Sequence, residues 1–505
     1  MWILPISMAL VLLVPLLMYL RASCRSKNPV ALPINWPILH MFPSFVANLH
    51  NMPAYFTLVL TGSGHNFRAH GPPGTGMRFF ITCDPANIQH IFTTNYPNFP
   101  KGAGFAAIFD IMGGSLFTID GEPAHRMRAK VKGVLNGPRL VDNLASYCIN
   151  KVKNNLLPLF AHMVSIDTPF DMQEMMSRFM FDLSATSLFG VDPGLLSSDL
   201  PPMDAAVALD TVMEVGYFRH VMPTSCWKLM RWLNIGPERK LSTAHTVLQS
   251  FVMEMMERWK NNACHTGNDD SGAGIMPPFL NDPDYAGDEL VLAMIISYLL
   301  AARDTITATL TWVFYNLAQN PNIVSILRNE LSPIASGKAA SSASAMVIFE
   351  PEETKTLVYL RAVLYETLRL YPPGPVECKK AATDDIMPSG HKVRSGDTIF
   401  ISVHSMGRME GLWGNDCLNY NPERWLLDDE NNLRYVPSHK FLAFNSGPRI
   451  CPGKEIAIMQ MKTVIASTLW NFDVELMKGQ NIQPKPSCIL KIKNGLMLKL
   501  KKRHM

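Results

Sequence analysis

Between Asp288 and Gln319 the chain reads as one helix, opened by Asp288 as a cap and stopped by Asn320-Pro321. At ~1.5 Å per residue it spans roughly 45 Å, enough to cross a domain. Its first half, Leu290 to Ala302, is apolar on nearly every face and should be buried. A buried rod of that length sets the architecture around it. The chain must build a large, mainly helical domain.

The rod is interrupted by Ala301-Ala302-Arg303-Asp304-Thr305. An acid and a hydroxyl inside a buried helix are costly unless they are satisfied or used. A threonine can bond back to the carbonyl four residues earlier and bend the helix, which opens a slot.

The full 505-residue sequence supports one large catalytic domain: there is no Gly/Ser linker, internal repeat or long low-complexity run. It is 48% hydrophobic and only 17% charged, so it leans apolar for a soluble protein. A net charge of +4 is too modest to argue for a nucleic-acid partner. The nine cysteines contain no C-x-x-C pair and are scattered, which argues against zinc and against a disulfide framework. A reducing compartment fits them.

Trp2 to Leu20 is uncharged and long enough to span a bilayer, with Pro5 and Pro15 tolerated as kinks. Arg21, Arg25 and Lys27 follow, which puts the next domain on the cytosolic side. A retained anchor is expected rather than a cleaved signal, whose charge would precede a shorter apolar run. The expected layout is residues 1–21 as transmembrane anchor, 22–40 as basic, Pro-punctuated and extended spacer, and 41–505 as the catalytic domain. Arg78 to Cys83 reads as a strand, and the chain is mostly helical from Pro85. Residues 261–286 and 334–345 read as surface loops, and short strands are expected over 391–403. The fold class is mainly α with minor β.

Near the C-terminus lies Phe444-Asn-Ser-Gly447-Pro-Arg449-Ile-Cys451-Pro-Gly453. A cysteine thiolate can bind haem iron and push electron density toward bound oxygen. It must be stabilised by iron, nearby cations and backbone N–H groups, because a free thiol titrates near ~8.5. Gly447 and Gly453 would let the backbone approach a flat macrocycle. Arg449 offers a fork of donors to a haem propionate, and Phe444 can pack beside the ring.

This F-x-x-G-x-R-x-C-x-G pattern resembles that of cytochromes P450, as do Glu366 and Arg369 three apart on a helix and Asn421-Pro-Glu-Arg424-Trp425. The resemblance implies the cytochrome P450 fold, haem b with Cys451 as axial ligand of its iron, and a Glu366–Arg369–Arg424 network bracing the cysteine loop. It implies that Thr305 and Asp304 carry protons to oxygen in the central-helix slot. Ala302 and Ile306 depart from the usual glycine and second threonine there. Asp120-Gly-Glu-Pro-Ala124-His-Arg126-Met-Arg128 resembles the helix that binds a propionate, with Ala124 in the tryptophan position and Arg128 retained. Electrons would come from NADPH through NADPH–cytochrome P450 reductase, steered to the basic run Arg126, Arg128, Lys130 and Lys132. The anchor implies the endoplasmic reticulum membrane, hence lipid contact.

Stretches such as Tyr96-Pro-Asn-Phe-Pro-Lys101-Gly102 and Ser405-Met-Gly-Arg-Met-Glu-Gly-Leu-Trp413-Gly look like a plant group of midchain alkane hydroxylases beside fatty-acid omega-hydroxylases, grass-like in detail. That implies oxygen insertion into a long alkyl chain. One branch of the group couples phenol rings in alkaloid synthesis, which is the alternative enzyme reading. A haem-binding protein with impaired activity is a third, motivated by Ala124, Ala302 and Ile306. By family position the apolar pocket would draw on Phe105 to Phe117, the first half of the central helix with Ala301 and Ala302, Pro373 to Val376, and Ser487 to Leu490. Phe218 to Leu233 would be either a membrane-facing rim or ordinary packing.

Overall fold

In the computed structural model, which describes residues 33–266, 274–285, 287–339, 346–427 and 432–503, the Asp288–Gln319 run is helical throughout. It is α-helical over Asp288–Leu299, widens to a π turn over Leu300–Asp304 and is α-helical again over Thr305–Gln319. Gly287 takes the cap position instead of Asp288, whose charge lies in the first turn where it complements the helix dipole. The expected anchor and the first part of the spacer lie outside the described residues.

The second half of this central helix is the axle of the main core. Ile306, Leu310, Val313, Phe314 and Leu317 are buried in one cluster with Met176, Phe179 and Met180 of the Met172–Phe189 helix. Leu360 and Leu364 of Val358–Leu370 join it, as do Val464 and Ile465 of Lys454–Asn471. Each such side chain contributes about 1.5–3 kcal/mol by leaving water. A second cluster joins Ile295, Ile296 and Leu299 of the first half to Leu209, Val212 and Val215 of the Asp204–Val221 helix.

The minor β component is a four-stranded sheet and two smaller ones. Strands β1 (Asn66–His70), β2 (Arg78–Thr82), β4 (Val376–Lys380) and β7 (Thr398–Ser402) lie in the order β1-β2-β7-β4. β2 and β7 are the parallel pair, with Phe79 opposite Thr398; the outer pairings are antiparallel, with Val376 opposite Ser402. β3 (Phe170–Asp171), β8 (Phe472–Leu476) and β9 (Met497–Lys502) form a second sheet. β5 (Asp385–Ile386) and β6 (Lys392–Val393) form a third.

Three local expectations change. Trp36 and His40 close a tight turn by exchanging backbone hydrogen bonds of 2.9 Å, so the end of the spacer folds back rather than extending. Helix Pro321–Ala339 runs through Pro333 into the segment expected to be a loop, because Leu327, Leu331 and Ala335 recur at helical spacing and are all buried. Within 261–286 the preceding helix continues to Thr266, while Ile275, Met276 and Phe279 are buried. Gly274 makes that docking possible: a Cβ there would meet the Leu188 carbonyl at 2.3 Å.

Candidate active site

A cavity of about 510 Å³ lies between the central helix and the cysteine loop. Cys451, Phe444, Arg449 and Gly453 border it from the loop, and Ala301, Ala302, Thr305 and Ile306 from the helix. Phe105, Phe109 and Phe117 close another side, with Pro373, Val376 and Ile489 opposite. The four segments expected to form the pocket therefore meet around one space.

The cysteine loop is held by its own backbone. Cys451 N–H donates to the Phe444 carbonyl at 2.7 Å. Gly447 sits at φ +56, and a Cβ on it would meet the Phe92 carbonyl at 2.1 Å. Its glycine is thus dictated by Phe92 rather than by a macrocycle. Gly453 is the reverse: a Cβ there would meet nothing within 4 Å, and the residue borders the cavity. Burial holds the Cys451 thiol above its ordinary value, while the Gly453 N–H and the cations Arg128 and Lys454 pull it down.

On the opposite wall, Thr305 Oγ1 donates to the Ala301 carbonyl at 2.7 Å, the back-bond expected of it. It does so against the π turn, where the α-helical ladder is already opened. Ala302 and Ile306 leave this bond intact. Asp304 is fully buried but outside the cavity lining. Its Oδ1 accepts from Arg303 Nη1 at 2.6 Å and Lys491 Nζ at 3.0 Å, and its Oδ2 has no partner.

The expected Glu366–Arg369–Arg424 network exists and is almost completely satisfied. Arg369 donates to both Glu366 oxygens at 2.8 and 2.7 Å, and Arg424 Nε donates to Oε1 at 3.0 Å. Trp425 Nε1 and Asn421 N–H also donate to Glu366, at 3.0 and 2.8 Å. The remaining Arg369 donors go to the carbonyls of Gly407, Cys417 and Asn419. The result is a buried knot tying the Val358–Leu370 helix to Gly407, to Cys417 and Asn419, and to Asn421–Trp425.

Cations gather at one edge of the cavity. Arg449 donates to Tyr96 Oη, the Leu116 and Ile119 carbonyls and Asp120 Oδ1. Arg128 faces the charges of Arg449 and Cys451, and its guanidinium makes no hydrogen bond among the described residues. Lys101, not singled out as a site residue by sequence reasoning, lines the cavity beside Phe105 and Phe117, its Nζ 4.6 and 4.3 Å from their ring centroids. Burial pushes this lysine down to about 7; Glu377 and Asp120 oppose the fall, and the charges of Lys379 and Arg449 add to it. A dianionic ligand at this edge would relieve it. One thiol on an apolar wall and cations short of anions at the rim are the donor set haem requires, so the residues present fit that group.

Sequence reasoning also missed His220 and Ser184, which line the same cavity from helices distant in sequence from the cysteine loop, whereas Tyr298 lies in the expected first half of the central helix. The basic run divides. Arg126 and Lys132 are exposed, whereas Lys130 is engaged by Asp282 and by the rings of Phe279 and Tyr285.

Cavity, cysteine loop and braced helix are those of a haem-thiolate enzyme fold, and the cytochrome P450 family model matches residues 32–500. The chain belongs to the cytochrome P450 family, and it is a monooxygenase. It is 35% identical over 491 residues to noroxomaritidine synthase 2 of Narcissus pseudonarcissus, covering 97% of this chain and 95% of that protein. It is 34% identical over 489 residues to alkane hydroxylase MAH1 of Arabidopsis thaliana, covering 94% and 95%. With cytochrome P450 86B1 of Arabidopsis thaliana it shares 33% over 493 residues, 96% of this chain and 88% of that one. Membership implies a haem cofactor and a redox partner.

Proposed function

We propose that this monooxygenase inserts one oxygen atom of O2 into a long-chain aliphatic substrate, a cuticular-wax alkane or a fatty acyl chain. One observation carries the reading: Cys451 and Thr305 border the same cavity, whose remaining walls are largely apolar. Cys451 would hold the haem iron through its thiolate, with Lys101, Arg128 and Arg449 holding the propionates. Bound haem would supply the activation of O2. Thr305 Oγ1 would hold a proton at the cavity wall beside the Ala301 carbonyl. Asp304 would feed that proton path only after release from Arg303 and Lys491. Phe105, Phe109 and Val376 would exclude water and keep the alkyl chain extended.

Electrons would come from NADPH through a reductase docking at exposed Arg126 and Lys132. The enzyme would sit on the cytosolic face of the endoplasmic reticulum. Leu229, Trp232 and Leu233 are exposed on and beside the Thr224–Trp232 helix, which supports an apolar face meeting lipid. Trp227 of the same helix is buried against Arg219 and Arg231, so only part of that segment is free to do so.

Oxidative phenol coupling is the second reading, supported by an identity to the Narcissus synthase as high as that to the alkane hydroxylase. The test is incubation of the full-length protein with reductase, NADPH and, separately, a long-chain alkane, a fatty acid and a phenolic amine. An oxygenated alkyl product supports the first reading. A coupled phenol with no alkyl product overturns it.

A further inference from the structure

A second, smaller cavity of about 70 Å³ lies against the main one, between the four-stranded sheet and the Asp204–Val221 helix. Phe45, Phe56, Phe79 and Phe400 give it apolar walls. His220, Val376, Cys378 and Cys488 border both spaces and so form the neck between them. Of these four, only His220 carries a strong hydrogen-bonding group.

The state of its ring is fixed by the backbone. His220 Nδ1 lies 2.7 Å from the Gly216 carbonyl. A carbonyl only accepts, so Nδ1 carries the proton and Nε2 presents a lone pair. No hydrogen bond among the described residues reaches Nε2. The ring is packed among Phe105, Phe109 and Phe400, with centroids 5.9, 5.6 and 6.3 Å away, and none of these can donate to it. Burial pushes the imidazole down to about 4, which keeps it neutral in the cytosol. The Asp204–Val221 helix can stand this close to Phe109 because residue 216 is glycine; a Cβ there would lie 2.4 Å from the Phe109 ring.

We infer that His220 Nε2 is a substrate-reading acceptor at the neck of the pocket, selecting uncharged molecules that carry a hydroxyl donor. The inference rests on the cavity assigned above to an aliphatic substrate and narrows its class. A chain already bearing an alcohol is preferred over the bare hydrocarbon or its ether. A buried acceptor left without a donor is penalised, so a matched donor should bind about tenfold more tightly than an isostere that cannot donate.

The test is equilibrium binding to the haem-loaded full-length protein, read from the substrate-induced Soret shift. The ligand pairs are a long-chain secondary alcohol with its methyl ether, and a phenolic amine with its O-methyl ether; the parent alkane is titrated alongside. In the wild type one alcohol or phenol should bind about tenfold tighter than its ether. His220→Phe should erase that ratio, and His220→Gln, which keeps an acceptor and a donor, should retain most of it. Preference on the phenolic pair alone, with no binding of alkane or long-chain alcohol, supports the role of His220 and sinks the aliphatic reading. Equal binding within both pairs, no binding of either, or a ratio that survives in His220→Phe overturns the inference.

Discussion

Asp210 and Asp304, on different helices, draw on the same two cations. Arg303 Nη1 donates to Asp210 Oδ1 at 2.7 Å and to Asp304 Oδ1 at 2.6 Å. Lys491 Nζ reaches the same two oxygens at 2.6 and 3.0 Å. The helix that carries His220 and the helix that carries Thr305 are therefore electrostatically joined. Any movement of Asp204–Val221 changes what Asp304 must share.

Asp210→Asn should lower stability by about 3 kcal/mol, because it leaves a buried excess of positive charge. The pH dependence follows from the direction of the shift. Burial opposes ionisation of Asp210, yet Arg303 and Lys491 overcome it and hold the carboxyl well below its ordinary value. A depressed folded pKa stabilises fully above the unfolded value of about 4, and the gain is lost as pH falls below that. Urea midpoints of wild type and Asp210→Asn should stay apart between about pH 5 and 8 and converge in stronger acid. A constant gap down to pH 3 would contradict the pairing.

Arg369→Ala strips Glu366 of its bidentate partner and leaves a fully buried carboxylate with Arg424, Trp425 and the Asn421 N–H. The expected cost is about 3–5 kcal/mol. The protein should accumulate with little haem, read as the ratio of Soret to protein absorbance. Full loading would remove the bracing role.

The two glycines of the cysteine loop should behave oppositely. Gly447→Ala meets both a positive φ and the Phe92 carbonyl, so it should lower the thermal midpoint and the haem content together. Gly453→Ala has φ −93 and open space around its Cβ, so the fold should tolerate it. Gly453 borders the cavity assigned to haem, so loading should fall while the far-ultraviolet spectrum stays unchanged. A normal haem content in Gly453→Ala would argue that the macrocycle seats elsewhere.

Thr305→Ala removes the hydroxyl that Ala301 accepts from. Product formed per NADPH should fall about tenfold or more, with peroxide rising in its place, and Thr305→Ser should recover most of the loss. Unchanged coupling in Thr305→Ala would take the proton-holding role away from this hydroxyl.

The central helix was legible because its apolar run and its stop at Asn320-Pro321 are local signals. So was the Thr305 back-bond, which spans only four residues. The π turn was not, since no residue type demands it. The Glu366–Arg369–Arg424 knot could be read only through motif likeness: Arg424 is 58 residues from Glu366, and spacing says nothing about such a meeting. Lys101 and His220 escaped for the same reason. A lysine before a glycine and a histidine in an amphipathic stretch look solvated until folding closes phenylalanines over them. The Ser, Ala and Gly content of 334–345 misled in the other direction, because packing of Leu331 and Ala335 carries the helix through Pro333 to Ala339.

The wide turn at Leu300–Asp304 holds one residue more than an ordinary turn would. Losing a single codon inside it would restore regular pitch with little change in the register of Asp288–Leu299 against Thr305–Gln319, because the wide turn is what absorbs the extra residue. Tyr298 and Ser297 would keep their places on the pocket wall, while the carbonyl opposite Thr305 Oγ1 would be drawn into the regular backbone ladder. Chain length within one turn thus governs the oxygen site separately from side-chain identity. A one-residue deletion in 300–304 should leave the apolar wall in place and change the chemistry beside it.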